Sequence, residues 1–301
     1  MSNCERTTIA PNPIVGSTFA VVGSARNCER SIGADVRRIQ DALSNAKSTI
    51  WFIVESDSSD RTLEELQKLK AEIPNFAFVS LGNITEIFPQ RTQRIAHCRN
   101  YFLEQIKSNN IYSGVDYVVV ADLDNLNTRI DRSAVESCWS RQDWEMCAAN
   151  QNGPYYDIWA LRHREWCPGD CWAQYHFMNK HSLNFEKNLM TSVFSKMIRI
   201  SQDSEWLEVD SAFGGFAIYR KSAFVLGEYS GTNLYGGECC EHVPFNAKLK
   251  EHGARLFINP RLINADLTEH TRRSRFWKRA RRKIKFTVKR FLSGANRIAS
   301  R

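Results

Sequence analysis

The sequence predicts an α/β fold built on a doubly wound, mostly parallel sheet. Four strand-like segments alternate with helix-like segments between residues 17 and 124, the order that βαβ units produce. The last of these strands, residues 117–121, is apolar or aromatic throughout, as in a strand that is buried on both faces. With 301 residues, the chain can build one large α/β domain or two small ones.

Each element follows from the spacing of the apolar residues. Strands are predicted where apolar residues alternate or run together, at 17–22, 49–54, 75–80, 117–121, 145–149 and 213–219. Helices are predicted where apolar residues recur at three- and four-residue steps, at 31–46, after Asp60, at 91–107 and at 243–251. The region from 163 to 206 is rich in aromatic residues but shows neither period, so the sequence predicts no regular order of elements there.

Two carboxylates stand where the fourth strand ends, at Asp122 and Asp124. In an open α/β sheet, ligands bind outside the carboxyl ends of the strands, which places this pair beside a binding crevice. Carboxylate oxygens suit Mg²⁺ or Mn²⁺, which commonly takes its other ligands from phosphate and water. The pair therefore predicts a metal–diphosphate site, with a polar strand end that forms an Asx turn as the alternative.

Further polar side chains follow the neighbouring strands, and we expect them at the same edge of the sheet. Carboxylates accept hydrogen bonds from a base or a ribose, and arginine pairs with diphosphate. The candidate donor-binding residues are Arg26, Asn27, Glu55, Asp57, Arg94, Arg99 and Asp122. Each is common on protein surfaces, but their coincidence at one edge favours a nucleotide site.

Three segments resemble motifs of the GT-A glycosyltransferases. Residues 20–29 resemble their first-strand loop, 54–62 their second-strand acidic loop and 120–124 their DxD motif. Residues 94–100 and 156–162 are also similar, more weakly, to the fungal capsule-associated mannosyltransferase family. The GT-A resemblance implies a Rossmann-like nucleotide half followed by an acceptor half, a UDP- or GDP-sugar donor, and Mn²⁺ or Mg²⁺ at the DxD motif.

The second acidic motif departs from that family, because residues 236–242 replace its usual glycine and acidic pair. An inverting enzyme needs a carboxylate to deprotonate the acceptor hydroxyl, and Glu241 is the first candidate and Glu238 the second. The alternative is that Glu241 only caps the dipole of the helix that follows it, and a retaining enzyme would need no such base. The resemblance also implies that His270 could complete the metal shell, with a surface histidine as the alternative.

Aromatic residues in the second half suit an acceptor platform, because aromatic faces stack on the apolar faces of sugars. Ordinary core packing is the alternative. The candidates are the aromatic residues Tyr155, Tyr156, Trp159 and Trp172, together with Asp157.

Four residues of the same region raise a zinc hypothesis: His163, Cys167, Cys171 and His176. Their spacing fits no common zinc module. The nine cysteines come without a secretion signal, so we expect a loop of reduced thiols instead.

The charge is divided unevenly along the chain. Residues 271–301, the basic tail, hold 13 Lys or Arg and no Asp or Glu, whereas residues 1–270 hold 28 basic and 33 acidic residues, a net charge of −5. Within 272–295 the apolar residues recur at helical spacing, as in a basic amphipathic helix that lies on an anionic membrane. Nucleic-acid binding through the basic tail is the rival, and the single apolar stripe argues against it.

These observations divide the chain into a leader (1–16), a glycosyltransferase domain (17–270, with halves 17–130 and 131–270) and the basic tail. No apolar run is long enough to span a membrane and no secretory signal is visible, so we expect a cytoplasmic enzyme that associates peripherally with the membrane. The predicted function is transfer of a hexose from a nucleotide sugar to a glycan or lipid-linked acceptor, in cell-surface polysaccharide or glycolipid synthesis. A nucleotidyltransferase would use the same strand-end carboxylates, but it would usually show a Gly-rich phosphate loop.

Overall fold

Eight strands form one mixed sheet in the computed structural model, which describes residues 14–268 and Thr271. They are β1 (Thr18–Ala25), β2 (Ser48–Glu55), β3 (Phe76–Ser80), β4 (Tyr117–Ala121), β5 (Met146–Gln151), β6 (Leu207–Val209), β7 (Phe216–Arg220) and β8 (Leu256–Ala265). Their order across the sheet is β3-β2-β1-β4-β7-β5-β8-β6. Strand β7 is antiparallel to both neighbours and β6 to β8, whereas the other pairings are parallel. The predicted α/β fold with a mostly parallel sheet is confirmed.

Helices cover both faces of this sheet. They are α1 (Ile32–Ala42), α2 (Thr62–Glu72), α3 (Arg91–Ser108), α4 (Arg132–Glu136), α5 (Cys171–His181), α6 (Phe185–Ser192), α7 (Lys221–Phe224) and α8 (His242–Glu251). Helices α1 and α2 pack on one face, and α3 and α8 on the other. Along β4, Val118 and Val120 join the core under α3, while Tyr117 and Val119 join the core under α1. This two-sided burial explains why the strand is apolar throughout.

Two strands were not predicted from the sequence. Strand β6 has only 3 residues, too few for a pattern. Strand β8 includes Pro260, which usually argues against a central strand. The pairing with β5 shifts register between Ala148 and Asn150, and such a bulge tolerates a residue that cannot donate to the ladder. Because Pro260 stands at this irregular pairing, the sequence pattern does not identify β8 as a strand.

The sheet brings several connections to one edge. Strands β1, β2 and β4 are parallel neighbours, so their carboxyl ends lie side by side. Strand β7 runs the other way and begins at that edge, where Phe216 pairs with Ala121. The loops after β1, β2 and β4 and the loop before β7 therefore meet, as predicted for the first three. Residues 1–13, most of the predicted leader, and residues 272–301 lie outside the described residues.

Candidate active site

The Asp-x-Asp pair leaves β4 beside the start of β7. The Asp122 N–H donates to the Gly215 carbonyl oxygen at 2.9 Å, and the Asn127 side chain donates to the Asp122 carbonyl oxygen at 2.6 Å. Gly215 has a φ of 85°, and a Cβ there would stand 2.8 Å from the Tyr156 hydroxyl oxygen. Glycine is therefore needed at this position, because a side chain would strain the backbone and displace Tyr156.

The turn around Asp124 is tied to α1. Asn125 has a φ of 72°, a left-handed conformation that asparagine tolerates better than most residues. Its N–H donates to Asp35 Oδ2 at 2.7 Å, and the Ser31 hydroxyl donates to the Leu123 carbonyl oxygen at 2.9 Å. These contacts hold the backbone on both sides of Asp124, whose side chain is exposed.

A cleft of about 950 Å³ opens around these carboxylates at the carboxyl edge of the sheet. Ligand clefts are commonly about 300–1,000 Å³, so this one can enclose a drug-sized or nucleotide-sized molecule. Eleven predicted site residues line it: Arg26, Asp57, Arg94, Arg99, Asp122, Asp124, Tyr156, Asp157, Trp159, Trp172 and Glu241.

Arg99 lies between the Asp-x-Asp pair and the candidate base. Its Nη2 is 3.2 Å from Asp122 Oδ1, and its Nε is 3.2 Å from Glu241 Oε1. Only 4% of Arg99 is exposed, and its guanidinium lies over the Phe213 and Tyr229 rings, 5.0 and 5.7 Å from their centroids. Burial lowers the pKa of Arg99, but the two carboxylates outweigh burial and hold the pKa above its usual value.

These contacts bear on the predicted role of Arg99 in donor binding. Two of its nitrogens face carboxylates of the protein, so they cannot also serve a diphosphate in full. The third, Nη1, is buried and has no hydrogen-bond partner. Arg99 Nε also has no hydrogen-bond partner, so its contact with Glu241 is an ion pair without an aligned hydrogen bond. The donor-binding role of Arg99 stays a prediction.

The pKa of the Asp122 carboxyl is raised to about 8. Burial is the largest cause, Arg99 acts against it, and the carboxylates of Asp124, Asp157 and Glu241 raise the pKa further. Carboxylates that raise one another's pKa concentrate negative charge, which a divalent cation neutralises. This all-oxygen donor set fits Mg²⁺ or Mn²⁺.

The number of ligands also bears on the kind of metal site. Within the part of the chain that the structure describes, no group of three or more His, Cys, Asp or Glu side chains could hold a metal ion. A cation at Asp122 and Asp124 would take its remaining ligands from phosphate oxygens, from water or from a residue outside the described part, such as His270. That coordination is usual for Mg²⁺ at nucleotide sites and unusual for a structural cage.

Glu241 and Glu238 have different surroundings. Glu241 is 6% exposed and lines the cleft, and its side chain makes no capping hydrogen bond to α8. Glu238 is exposed, accepts a hydrogen bond from the Thr92 hydroxyl at 3.0 Å, and is not a lining residue of the cleft. Of the two candidates for the base, only Glu241 meets the cleft.

His242 is a cleft residue that the sequence did not single out. It is 2% exposed, stacks on Phe213 with ring centroids 3.9 Å apart, and places its Nε2 3.7 Å from Glu241 Oε1. Burial and the Arg99 charge lower the pKa of His242 well below its usual value, so the ring is neutral. Neither ring nitrogen has a hydrogen-bond partner. The signal in the sequence is its position next to Glu241 at the start of α8.

The structure places the Glu55 side chain outside the cleft lining, away from its predicted donor-binding position. The Glu55 side chain is buried, accepts hydrogen bonds from the Ser58 N–H at 3.0 Å and from the Ser80 hydroxyl, and does not line the cleft. Only 1% of the residue is exposed. Its carboxylate therefore folds the loop after β2 and cannot reach a nucleoside.

Asp57, in the same loop, does line the cleft. Its Oδ1 accepts hydrogen bonds from the N–H groups of Ile84 and Thr85 at 3.0 and 3.1 Å, and from the Thr85 hydroxyl at 2.7 Å. Its Oδ2 is buried and has no hydrogen-bond partner. One oxygen of Asp57 thus fixes the loop, and the other is an unsatisfied acceptor beside the cleft.

The loop after β1 is joined to the loop after β2. Asn27, with a φ of 49°, accepts a hydrogen bond from the Ser59 N–H at 2.8 Å and does not line the main cleft. Asn27 lines a second cleft that also includes Asp124, so its predicted role in donor binding stays a prediction. Arg26 does line the cleft, where its Nε donates to the Asp57 carbonyl oxygen at 3.4 Å. Arg94 also lines it and donates from Nη1 to two backbone carbonyls at 2.7 Å.

Some of the predicted acceptor residues lie in the core, and others line the cleft. Tyr155 is fully buried and packs on Trp166, with ring centroids 5.4 Å apart, a position that favours the core alternative over an acceptor role. Asp157 lines the cleft and accepts a hydrogen bond from the Gly214 N–H at 2.9 Å. Trp159 lines the cleft too, and its Nε1 donates to Asp170 Oδ2 at 3.0 Å.

The described residues do not support the zinc hypothesis. His163 Nδ1 accepts hydrogen bonds from the N–H groups of Glu165 and Trp166, and no three candidate ligands in the described residues could hold a metal. Cys167 and Cys171 are buried, and all cysteines of the described part of the chain are free. This agrees with the expectation of reduced thiols.

Two predictions fall outside the described residues. His270, the proposed third metal ligand, and nearly all of the basic tail lie there. Over the residues that are described, no helix has both the length and the apolar character needed to cross a bilayer.

No family model matches the chain, and no curated protein matches it. Among solved structures, mannosyltransferase PcManGT from Pyrobaculum calidifontis, in complex with GDP-Man and Mn²⁺, is 15% identical, with 85% of this chain and 59% of that chain covered and a TM-score of 0.48. TarS 1–349 from S. aureus, in complex with UDP-GlcNAc, is 13% identical, with 84% and 59% covered and a TM-score of 0.49.

Glucosyl-3-phosphoglycerate synthase from Mycobacterium tuberculosis, in complex with UDP, is 13% identical, with 83% and 70% covered and a TM-score of 0.38. The chain thus spans 59% of the length of the mannosyltransferase and of TarS. Likenesses this distant carry no argument about function, which rests on the geometry of the cleft.

Proposed function

We propose that this chain is a metal-dependent glycosyltransferase that moves a hexose from a UDP- or GDP-sugar to a glycan or lipid-linked acceptor. The observation that carries the proposal is one cleft that holds the strand-end carboxylates Asp122 and Asp124 together with the buried pair Arg99 and Glu241. The first two offer ligands for a cation on a diphosphate. Glu241 offers a carboxylate to take the proton of the acceptor hydroxyl, which transfer with inversion requires, and the cation assists departure of the diphosphate.

Asp124 and Asp122 would hold Mn²⁺ or Mg²⁺, which as a Lewis acid neutralises the charge that develops on the departing diphosphate. The guanidinium groups of Arg26 and Arg94 line the same cleft and would bind diphosphate oxygens. Asp57 would accept an N–H of the base through its unsatisfied Oδ2. The donor would therefore lie along the carboxyl ends of β1, β2 and β4.

Glu241 would remove the proton from the acceptor hydroxyl while that oxygen attacks the anomeric carbon and the bond to the diphosphate breaks. Arg99 orients Glu241 through the 3.2 Å ion pair, and neutral His242 lies 3.7 Å from the same carboxylate oxygen, Oε1. This chemistry gives a product whose anomeric configuration is inverted.

The acceptor would enter the opposite side of the cleft. Tyr156, Trp159 and Trp172 line this part, and their rings can stack on the apolar faces of a sugar. Asp157 is close enough to Asp122 to raise its pKa. Its carboxylate would orient an acceptor hydroxyl at this end of the cleft.

The test is a screen of UDP-, GDP- and dTDP-sugars with and without Mn²⁺, read as thermal stabilisation and as slow hydrolysis of the sugar nucleotide. A ligand at 100 times its Kd stabilises the folded state by about 2.7 kcal/mol, which a melting curve resolves. We expect stabilisation by one class of nucleotide sugar, and only with the metal. If nucleoside triphosphates stabilise the protein and no nucleotide sugar does, the rival nucleotidyltransferase is the better assignment.

The basic tail would hold the enzyme at an anionic membrane. Electrostatic attraction adds about 1 kcal/mol for each basic residue near such a surface, and the tail carries 13. Truncation after His270 should weaken binding to anionic vesicles at low salt and leave transfer to a soluble acceptor intact. A loss on truncation that does not depend on salt, or a preference for nucleic acid over vesicles, would contradict this role.

A further inference from the structure

Large apolar side chains are exposed to solvent in two segments beside the cleft, 177–185 and 233–237. Phe177 on α5, Leu183 in the connection that follows it and Phe185 at the start of α6 are 64%, 90% and 53% exposed. In the loop before α8, Leu234 and Tyr235 are 101% and 97% exposed. Single exposed apolar residues are ordinary, but a concentration of large ones around one cleft marks an interaction surface.

A hydrogen-bonded turn, residues 233–237, carries Leu234 and Tyr235. The Asn233 N–H donates to the Gly237 carbonyl oxygen at 2.8 Å, and the Asn233 carbonyl oxygen accepts from the Gly236 N–H at 2.9 Å. Asn233 Oδ1 also accepts from the N–H groups of Tyr235 and Gly237, at 2.9 and 3.0 Å. Gly236 has a φ of 74°, which few other residues adopt. The side chains are therefore held outward by a defined backbone.

Both elements adjoin the acceptor side of the cleft. Trp172 of α5 and Leu189 of α6 line the cleft, while other side chains of the same two helices face solvent. The turn is followed closely by Cys240, which lines the same cleft. Both segments therefore border the cleft.

The charge around these tips favours an anionic partner. Residues 171–199 contain four Lys or Arg and one Glu, within a region, 1–270, whose net charge is −5. Lys180 and Lys187 are exposed beside the apolar tips. Apolar side chains flanked by basic ones are the composition of surfaces that enter the boundary between headgroups and acyl chains.

We infer that α5, α6 and the 233–237 turn form a bilayer-contact surface, which acts independently of the basic tail. Five protruding side chains spread over α5, the connection 182–184, α6 and the 233–237 turn do not make the continuous complementary face that a protein partner needs, whereas a fluid bilayer accommodates separate protrusions. The consequence, which rests on the proposed function, is that the acceptor is lipid-linked and reaches the cleft along Trp172 and Leu189.

The test is co-sedimentation of the full chain with phosphatidylcholine vesicles at about 1 M salt, where the Debye length is about 3 Å and attraction by the basic tail is screened. We expect the protein to stay bound. The variants Phe177→Ser/Leu183→Ser/Phe185→Ser and Leu234→Ser/Tyr235→Ser should each lower the partition coefficient at least about tenfold, because each removes more than one inserting side chain.

The matched control is Val15→Ser/Ile111→Ser. These side chains are 67% and 57% exposed but precede β1 and β4, at the opposite edge of the sheet, and their loss should leave binding unchanged. Three results would overturn the inference: no binding of the wild type at high salt, equal loss in the control, or apolar variants that dissolve a dimer and leave vesicle binding unchanged. Sedimentation needs no donor or metal, so its outcome is separate from that of the nucleotide-sugar screen.

Discussion

Arg99 and Glu241 form a 3.2 Å ion pair in the wall of the cleft, with side chains that are 5% and 7% exposed. The same guanidinium contacts Asp122 at 3.2 Å. The Arg99 guanidinium thus links the end of β4 to the start of α8. It fixes the distance between Asp122, which we assign to metal binding, and Glu241, which we assign as the base.

Arg99→Met should destabilise the protein by about 3–5 kcal/mol, because it leaves buried carboxylates without their partner. Urea unfolding measures this change. The control is Arg37→Met, which breaks the half-exposed pair with Glu72 and should cost about 1 kcal/mol or less. Equal losses in the two variants would mean that the buried ion pair adds nothing.

Asp124→Ala should abolish Mn²⁺-dependent turnover and leave the melting temperature near that of the wild type, since the side chain is exposed and the turn is held by backbone contacts. Calorimetry with Mn²⁺ and donor should show lost metal binding. Asp41→Ala, at an exposed position of α1, is the control and should behave as wild type. Normal activity in the Asp124 variant would exclude the proposed metal site.

Asp57→Asn keeps an oxygen for the bonds from Ile84 and Thr85 and replaces the unsatisfied Oδ2 with an amide nitrogen. We expect the donor KM to rise about tenfold or more, on the scale of a lost hydrogen bond to a charged group, with an unchanged acceptor KM. Steady-state kinetics with each substrate varied decides this. A similar rise in both KM values would show that the loop is only structural.

Glu241→Gln should lower transfer by at least about 100-fold, the scale of general-base catalysis, while donor binding is kept. Glu238→Gln should change the rate little, because that side chain lies outside the cleft lining. NMR of the product gives a second check. A product that keeps the anomeric configuration of the donor would refute the role of Glu241 as the base of an inverting enzyme.

The neutral, buried His242 predicts a loss of stability in acid. The unfolded chain binds a proton at this residue below about pH 6.5, whereas the folded chain does not because its pKa is lowered. The unfolded state therefore binds more protons, and the free energy of unfolding falls as the pH drops, by up to about 1.4 kcal/mol per unit. His242→Phe should remove this contribution. Parallel curves of unfolding free energy against pH for both proteins would contradict the prediction.

The order of the elements could be predicted where local patterns are strong. Strands β1 to β5 and β7 and helices α1 to α3 and α8 repeat apolar residues at the periods of strand and helix, and the carboxyl edge follows from parallel pairing. The Asp-x-Asp pair was placed at that edge by the same argument. Strand β8 could not be predicted because it contains Pro260. Helices α5 and α6 could not be predicted because their segment is rich in aromatic residues and has no helical period.

The sequence by itself determined which chemical groups emerge at the carboxyl edge, because that depends on the alternation of strands and helices along the chain. Only the tertiary structure decided which of them face the cleft. Glu55 ends β2 and Asp57 follows two residues later. Glu55 is hydrogen-bonded to Ser58 and Ser80 and buried, whereas Asp57 lines the cleft. The pairing of Arg99 with Glu241 joins residues from distant parts of the chain, and long-range packing of this kind leaves no trace in local periodicity.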